Sequence, residues 1–490
     1  MSGEVLINLT PVETRVALVE HGVLQEVAIE RHHRQGIVGN IYKGKVVRVL
    51  PGMQAAFVDI GLDRAAFIHV GDLTSPAGGS DTPLPIQKRL HEGQAIVVQV
   101  IKDPIGTKGA RLTMQLSLPS RYIVYMPEVA HLGISQRIKN EETRERLRET
   151  LERLRQQQTP ELTGGFIVRT VAENADDSAL ALDLTFIAQL WRKLSQRRIE
   201  RRAPALLYQD QPLFMRVLRD VLRDDVERVR IDSRENYERL HTFAQDYMPE
   251  LLPQIEHYTG DSPLFEHYAI EDELKKALER KVPLKSGGYL VFDQTEAMTT
   301  VDVNTGTFVG YRNLEETIFK TNLEAASAIT RQLRLRNLGG MVIIDFIDMA
   351  SSEHQRQVLR TLEKALERDT ARTRVSDVTE LGLVQVTRKR TRKSLEQILC
   401  EPCHACRGRG YQKTAETLCY DILREVVRLH HLHPGRHYLI LASSPVVERF
   451  RNESASAVAE LEAFIGHTLR FQAESHYCQE QYDIVLAQEA

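Results

Sequence analysis

The stretch Met298-Thr299-Thr300-Val301-Asp302-Val303-Asn304-Thr305-Gly306 alternates like a half-buried β-strand, yet it carries an aspartate in its middle. A second segment, Ile343-Ile344-Asp345-Phe346-Ile347-Asp348-Met349, repeats the pattern. Between them, Leu314, Ile318, Ala325, Ile329 and Leu333 fall at helical spacing, and Gly339-Gly340 reads as the C-cap of a helix over 314–338. Strand, helix and strand make a βαβ unit, whose right-handed crossover leaves the two strands parallel and adjacent. Ser286-Gly287-Gly288 turns the chain into a strand over 289–292, and the turn at 293–296 returns it as the strand that bears Asp302. A helix over 353–369 and strands around Arg374 and Val384 complete an α/β domain.

An ionised carboxylate in such a strand costs several kcal/mol unless a cation compensates it. Alternation puts Thr300, Asp302 and Asn304 on one face, with Val301 and Val303 in the core. At the carboxyl ends of adjacent strands this group meets the second segment. Two carboxylates and an amide oxygen suit a hard cation such as Mg²⁺, and with it phosphoryl transfer. By parity Asp345 and Asp348 face opposite sides, and spacing does not choose between them. The bland alternative is a pair of Asx residues capping turns.

Outward from this unit, the first thirty residues read as a three-stranded meander over 5–9, 15–20 and 24–30. From Gly39, short strands over 41–49, 54–60, 64–70 and 95–102, broken by glycines, predict a small barrel, with Ser75 to Pro83 as a surface loop. Phe57 and Phe67 lie on consecutive strands, where they are either core or a platform on which bases stack, and Lys108 could add a phosphate contact. Leu147, Leu151 and Leu154 mark an exposed amphipathic helix over 141–158, ended by Pro160. A turn at Thr163 to Gly165 leads to a strand up to Thr170, and a further helix is expected over 186–202. A helix over 214–221, a strand over 228–232 and a helical region up to Arg280 come next. Beyond the cysteines, helices over 417–430 and 446–464 alternate with strands over 438–442, 469–472 and 484–486 as a small α/β domain.

With 490 residues, 42% of them hydrophobic, the chain should form several domains. No run of eighteen apolar residues and no signal-peptide layout occurs, so a cytoplasmic protein without a membrane span is expected. The five cysteines do not form a secreted disulfide framework. Cys403-His404-Ala405-Cys406, followed by Arg407-Gly408-Arg409-Gly410, has the spacing of a zinc knuckle. One pair is half a site, which His404, Cys400 or a second chain could complete. The net charge of −3 hides two basic runs, Arg192 to Arg202 and Arg388 to Lys393. The first reads as a solvated helix face, and the second is as well placed for phosphate contact as for solvent.

The two Asp motifs and the Cys pair stand in the order and spacing of the ribonuclease E/G family, which this chain resembles over nearly its whole length. With no long Pro- and Arg-rich C-terminal extension, it is nearer the short, ribonuclease G type. The resemblance implies a multidomain α/β and α+β protein. Residues 1–35 and 205–280 would be a split ribonuclease-H-like scaffold, 36–118 an OB-fold RNA-binding barrel and 119–204 a 5′-sensor region. A deoxyribonuclease-I-like catalytic subdomain would span 281–400, a zinc link 401–414 and a small oligomerisation domain 415–490. It further implies a Mg²⁺-dependent endoribonuclease that cuts AU-rich single-stranded RNA, prefers 5′-monophosphate ends and leaves a 5′-phosphate and a 3′-hydroxyl. Ribosomal RNA precursors and messenger RNA would be the substrates. Asp302 and Asp345 would hold the metal, with Asn304 in support, which selects Asp345 over Asp348. Phe57, Phe67 and Lys108 would contact RNA, while Arg169, Thr170, Arg372 and the nearby Val124 would form the 5′-phosphate pocket. Ser120 departs from the glycine of ribonuclease E. Cys403 and Cys406 would share Zn²⁺ with a second chain, in a homodimer or a dimer of dimers. A non-catalytic RNA-binding scaffold is the competing reading, against which intact Asp302, Asn304 and Asp345 argue.

Overall fold

The computed structural model describes residues 3–73, 84–104, 108–157, 162–222, 226–306, 314–379, 381–390, 392–434 and 436–487. The expected loop from Ser75 to Pro83, the helix stop at Pro160 and Thr107 beside Lys108 lie outside them. The chain divides into two compact units, 1–398 and 399–490.

In the first unit, the meander forms as expected, with strands Gly3–Leu9, Glu13–Glu20 and Val23–Arg31. Gly3–Leu9 also pairs in parallel with Val226–Ile231, which in turn pairs with Ile255–His257. One sheet is thus assembled from chain segments on either side of the barrel. Its apolar face packs on the helices Leu213–Asp220 and Arg234–Tyr247 through Val5, Ile7, Val217 and Leu240. The helical region expected up to Arg280 is not continuous. Pro249 and Pro253 bound a tighter helical turn, and strand Ile255–His257 follows it.

The barrel is closed. Ile41–Leu50 pairs with Ala55–Asp59 on one side and with Ala95–Lys102 on the other, and Ala66–His69 and Arg111–Thr113 complete the ring. Its OB-like interior holds Val46, Val58, Ile68, Val98 and Leu112. Gly44 is required at the closure, because a Cβ there would stand 2.5 Å from Val58 Cγ1.

Next to it, a four-stranded sheet with strands Ile123–Met126 and Gly165–Val168 at its centre packs Tyr125 and Phe166 against helices Glu141–Gln156 and Asp177–Glu200. The second helix begins nine residues before the expected start. Asp176 caps it through the Ala179 N–H, and Leu180 and Leu184 extend its buried stripe.

The βαβ unit lies in a six-stranded sheet ordered Lys281–Pro283, Tyr289–Gln294, Met298–Asn304, Gly340–Asp345, Leu383–Arg388 and Thr373–Val375. Val301, Val303, Val342, Ile344, Val384 and Val386 point to one face, which the helices Leu314–Leu335 and Ser352–Leu366 cover. Each such side chain, fully buried, contributes about 1.5–3 kcal/mol. The opposite face is open. Gly339-Gly340 is not the C-cap of the long helix. Asn337 takes the left-handed conformation there (φ 49°), and Gly340 opens the next strand at φ 103°.

The second unit has a three-stranded sheet, Leu469–Ala473, His437–Ala442 and Tyr482–Ala487, with helices packed on it. The helix expected over 446–464 is two, Ser444–Arg451 and Ala455–Ile465. Among the described residues no helix is long and apolar enough to cross a membrane.

Candidate active site

Parallel pairing of Met298–Asn304 with Gly340–Asp345 sets Asp302 directly opposite Asp345, both exposed at the carboxyl ends of their strands. Asn304, two residues on and on the same face, donates its Nδ2–H to Asp302 Oδ2 at 2.8 Å. Partial burial, then the neighbouring charges of Asp302 and Asp348, push the Asp345 carboxyl above the usual carboxylate range. Asp348 adds to the field at Asp345, but it lines a small cavity with Val358, Leu359 and Val384 on the helix-covered side of the sheet, away from the Asp302–Asp345 pair. Among the described residues no cation pairs with the oxygens of that pair, and a hard divalent ion that retains water and phosphate ligands fits such a donor set. Among the described residues no three His, Cys, Asp or Glu side chains come together as a cation cage.

The segment after Asp345 is held by a residue the sequence did not mark. Asn322, fully buried in the long helix, donates Nδ2–H to the Ile347 carbonyl at 2.8 Å and accepts the Ile347 N–H at 3.2 Å. A buried amide on an apolar helix face was the available signal.

Arg169 and Thr170 line a cavity of about 910 Å³, together with Ser135, Arg137, Asp369 and Thr370. Arg169 is already engaged, donating to the Ser120 carbonyl at 2.7 Å, the Arg219 carbonyl at 3.2 Å and Asp220 Oδ1 at 3.2 Å. The Thr170 hydroxyl meets Ser135 Oγ at 2.8 Å. Val124 is half-buried, paired with Ile167 on one side and Pro119 on the other. Arg372 instead lines a neighbouring groove, and Arg388 borders both. The Ser120 side chain turns inward onto Asp183 Oδ1 at 2.5 Å, beside the N–H groups of Arg121, Tyr122 and Ile123 on the same carboxylate. Burial pushes Asp183 up to about 6 against these four donors. Serine at 120 thus ties down the loop and leaves its carbonyl to Arg169.

In the barrel, Phe57 and Phe67 are cross-strand partners with ring centroids 6.2 Å apart at 68°. Phe57 is exposed, Phe67 half-buried and Lys108 exposed. The basic run at 192–202 is exposed, as a solvated helix face should be, and two of its arginines also reach backbone carbonyls. Arg197 and Arg201 donate to the Leu207 and Leu206 carbonyls, and Lys43 caps the helix end at the carbonyls of Arg198 and Arg201.

In the second unit, the N–H groups of Gly410 and Gly408, and then the Cys403 thiol, point at Cys406 Sγ and hold that thiol below its ordinary range. Left-handed conformations at Arg407, Gly408 and Gly410 bring those amides round (φ 51°, 86° and 78°). A sulfur ringed by N–H donors suits a metal thiolate. His404 turns to Glu401 at 3.5 Å, and neither it nor Cys400 joins a three-ligand group among the described residues.

A family model described as "Ribonuclease E/G family" matches residues 117–391. The chain is 51% identical over 493 residues to "Ribonuclease G" of Escherichia coli (strain K12), covering 99% of this chain and 100% of that one. It is 50% identical over 491 residues to "Ribonuclease G" of Haemophilus influenzae, covering 99% of both. "Ribonuclease E" of Escherichia coli (strain K12) is 38% identical over 465 residues, which is 93% of this chain and 43% of that protein. The chain belongs to the ribonuclease E/G family.

Proposed function

We propose that this endoribonuclease hydrolyses single-stranded RNA at the Asp302–Asp345 pair, leaving a 5′-phosphate and a 3′-hydroxyl. The observation that carries this reading is the direct pairing of two carboxylates that no described cation compensates. Asp302 and Asp345 would hold Mg²⁺, which when bound supplies Lewis-acid stabilisation of charge developing on the phosphoryl oxygens. Asn304 fixes the orientation of Asp302 through its Nδ2–H. Asn322 fixes the backbone two residues beyond Asp345, so that both carboxylates stay positioned as the substrate phosphate enters.

Phe57 and Phe67 stack bases beside Lys108, and this exposed, sequence-tolerant contact suits unpaired AU-rich RNA. Arg169 and Thr170, with Arg372 and Val124 close by, receive a 5′-terminal monophosphate. Arg169 keeps Nε–H and one further N–H for that purpose, since three donors are already engaged. Cys403 and Cys406 offer two thiolates to Zn²⁺ shared with a second chain, giving a homodimer or a dimer of dimers. Cytoplasmic maturation of the 5′ end of small-subunit ribosomal RNA and decay of messenger RNA are the roles this chemistry serves.

The test compares cleavage of one RNA bearing a 5′-monophosphate, a 5′-triphosphate or a 5′-hydroxyl. Asp302→Asn is expected to abolish cleavage of all three in Mg²⁺, and normal cleavage by that variant would remove the site. Arg169→Gln is expected to erase the monophosphate advantage alone, and equal wild-type rates on the three ends would remove the sensor.

A further inference from the structure

The open face of the catalytic sheet carries more than the Asp pair. Register places Asp345 opposite Leu383, Ile343 opposite Gln385 and Met341 opposite Thr387, and Thr387 in turn opposite Arg374 on the edge strand. Paired residues share a face, so Arg374 stands on the same open surface as Asp302 and Asp345. By the same alternation Lys389 and Arg372 extend this surface past the strand ends, where the Lys389 N–H meets the Arg372 carbonyl at 2.9 Å. Arg388, one residue earlier, points to the helix side and is consumed there by Asp369. One charge run is thus divided by strand parity into a structural arginine and outward-facing cations.

Around these residues lies an open groove of about 700 Å³ lined by Gly340, Arg372, Thr373, Arg374, Lys389 and Arg390 among others. The side chains of Arg372, Arg374, Lys389 and Arg390 are all exposed, and no described carboxylate lies in salt-bridge range of the first three. Arg390 is held in place: its Nε–H donates to the Gly339 carbonyl at 2.7 Å. Its guanidinium rests on Gly340, where a Cβ would come within 3.1 Å of it. The Gly339-Gly340 pair thus makes a bed for an arginine. Four exposed cations on and beside the edge strand form a surface for a polyanion.

Lys389 lies six positions beyond Leu383, the residue opposite Asp345, which is about 20 Å along the strand. The residues between, Gln385, Thr387, Ile343 and Met341, are uncharged, so a strand crossing them meets no repulsion until it reaches the metal-binding carboxylates. We propose that this face is a backbone track for the RNA substrate, in which Arg374, Lys389 and Arg390 hold phosphates several nucleotides from the scissile bond. The track rests on the endoribonuclease reading and adds to it how the strand is gripped outside the cleavage site. Its contacts are sequence-independent and do not require a 5′ end.

The test uses Arg374→Gln combined with Lys389→Gln in the full-length protein with Mg²⁺, cleaving a long single-stranded RNA and a short oligonucleotide that spans only the Asp pair. For the long RNA, KM is expected to rise on the order of tenfold, and the dependence of log KM on log salt to flatten by about 1.4, the value for two lost contacts to a single strand. The kcat, the short substrate and the ratio of 5′-monophosphate to 5′-hydroxyl rates are expected to stay as in wild type, and the charge-keeping pair Arg374→Lys with Lys389→Arg to retain the wild-type KM. An unchanged KM and salt slope for the long RNA would overturn the track, as would an equal loss on the short substrate. Loss of cleavage in Asp302→Asn alongside wild-type behaviour of the double variant would overturn the track alone and leave the active site standing.

Discussion

Two carboxylate sites lie near opposite ends of the catalytic sheet and have opposite fates. Asp302 and Asp345 face each other in the open, with like charge beside like charge. Asp369 is fully buried, gripped by Arg388 at 2.6 Å and 3.1 Å, while a further guanidinium N–H of Arg388 serves the Asn337 amide oxygen and the Leu338 carbonyl. The second site spends its charge inside the protein and holds the sheet edge to the helix end. The first leaves its charge for something that binds. Compensation within the chain, more than the presence of an acid in a strand, separates architecture from chemistry.

The contrast can be broken most sharply at the open pair. Asp345→Asn is expected to lower cleavage on the order of a thousandfold or more, measured as kcat at saturating Mg²⁺. Its melting temperature should hold or rise, because the substitution relieves a like-charge contact. Parallel loss of stability and activity would place Asp345 among the structural carboxylates. Arg388→Met should behave in the opposite way, costing about 3–5 kcal/mol in denaturant unfolding of the enzyme by stranding Asp369. Addition of Asp369→Leu should recover much of that loss, and a single variant as stable as wild type would end the comparison.

A smaller effect is expected at Asn322→Leu, which leaves the Ile347 N–H and carbonyl unpaired at a cost of about 1–3 kcal/mol. It should also raise the Mg²⁺ concentration needed for half-maximal cleavage, whereas unchanged Mg²⁺ dependence would confine Asn322 to packing. Asp183 supplies the smallest and a pH-dependent effect. Its folded value, raised to about 6, lies above the ordinary 3.8, so its contribution to stability is fully present below about pH 4 and is lost as pH rises to 6. Asp183→Asn lacks this slope, so the stability difference between wild type and variant should shift in favour of the variant by about 1–3 kcal/mol across that window. A difference independent of pH would assign the carboxylate an ordinary titration.

Much of this contrast was legible before any coordinates. Hydrophobic periodicity identified the βαβ unit, and its crossover rule brought Asp345 beside Asp302, where the register sets the two opposite each other. The barrel and the meander followed from equally local patterns. What local pattern could not show is which distant group a long side chain reaches. Arg388 and Lys389 are neighbours in one basic run, yet strand parity sends one to Asp369 and the other to solvent. Arg197 and Arg201 likewise finish on backbone carbonyls that no charge pattern marks. Gly339-Gly340 was misread because two glycines after a helix resemble a cap, while Asn337 performs that role and the glycines admit Arg390.

The sheet shared by the first and third parts of the unit sets a timetable for synthesis. Val5 pairs with Val229, so 224 residues, 229 less 5, must be made after the first strand before its parallel partner exists. At ordinary translation rates that interval is roughly 11–45 s. Throughout it the edge of the first strand that later pairs with Val226–Ile231 stays unsatisfied, while the barrel encoded next can close on its own short-range pairings. For these two elements the order of assembly is therefore inverted relative to the order of synthesis: the inserted barrel can be complete before the N-terminal sheet that begins ahead of it.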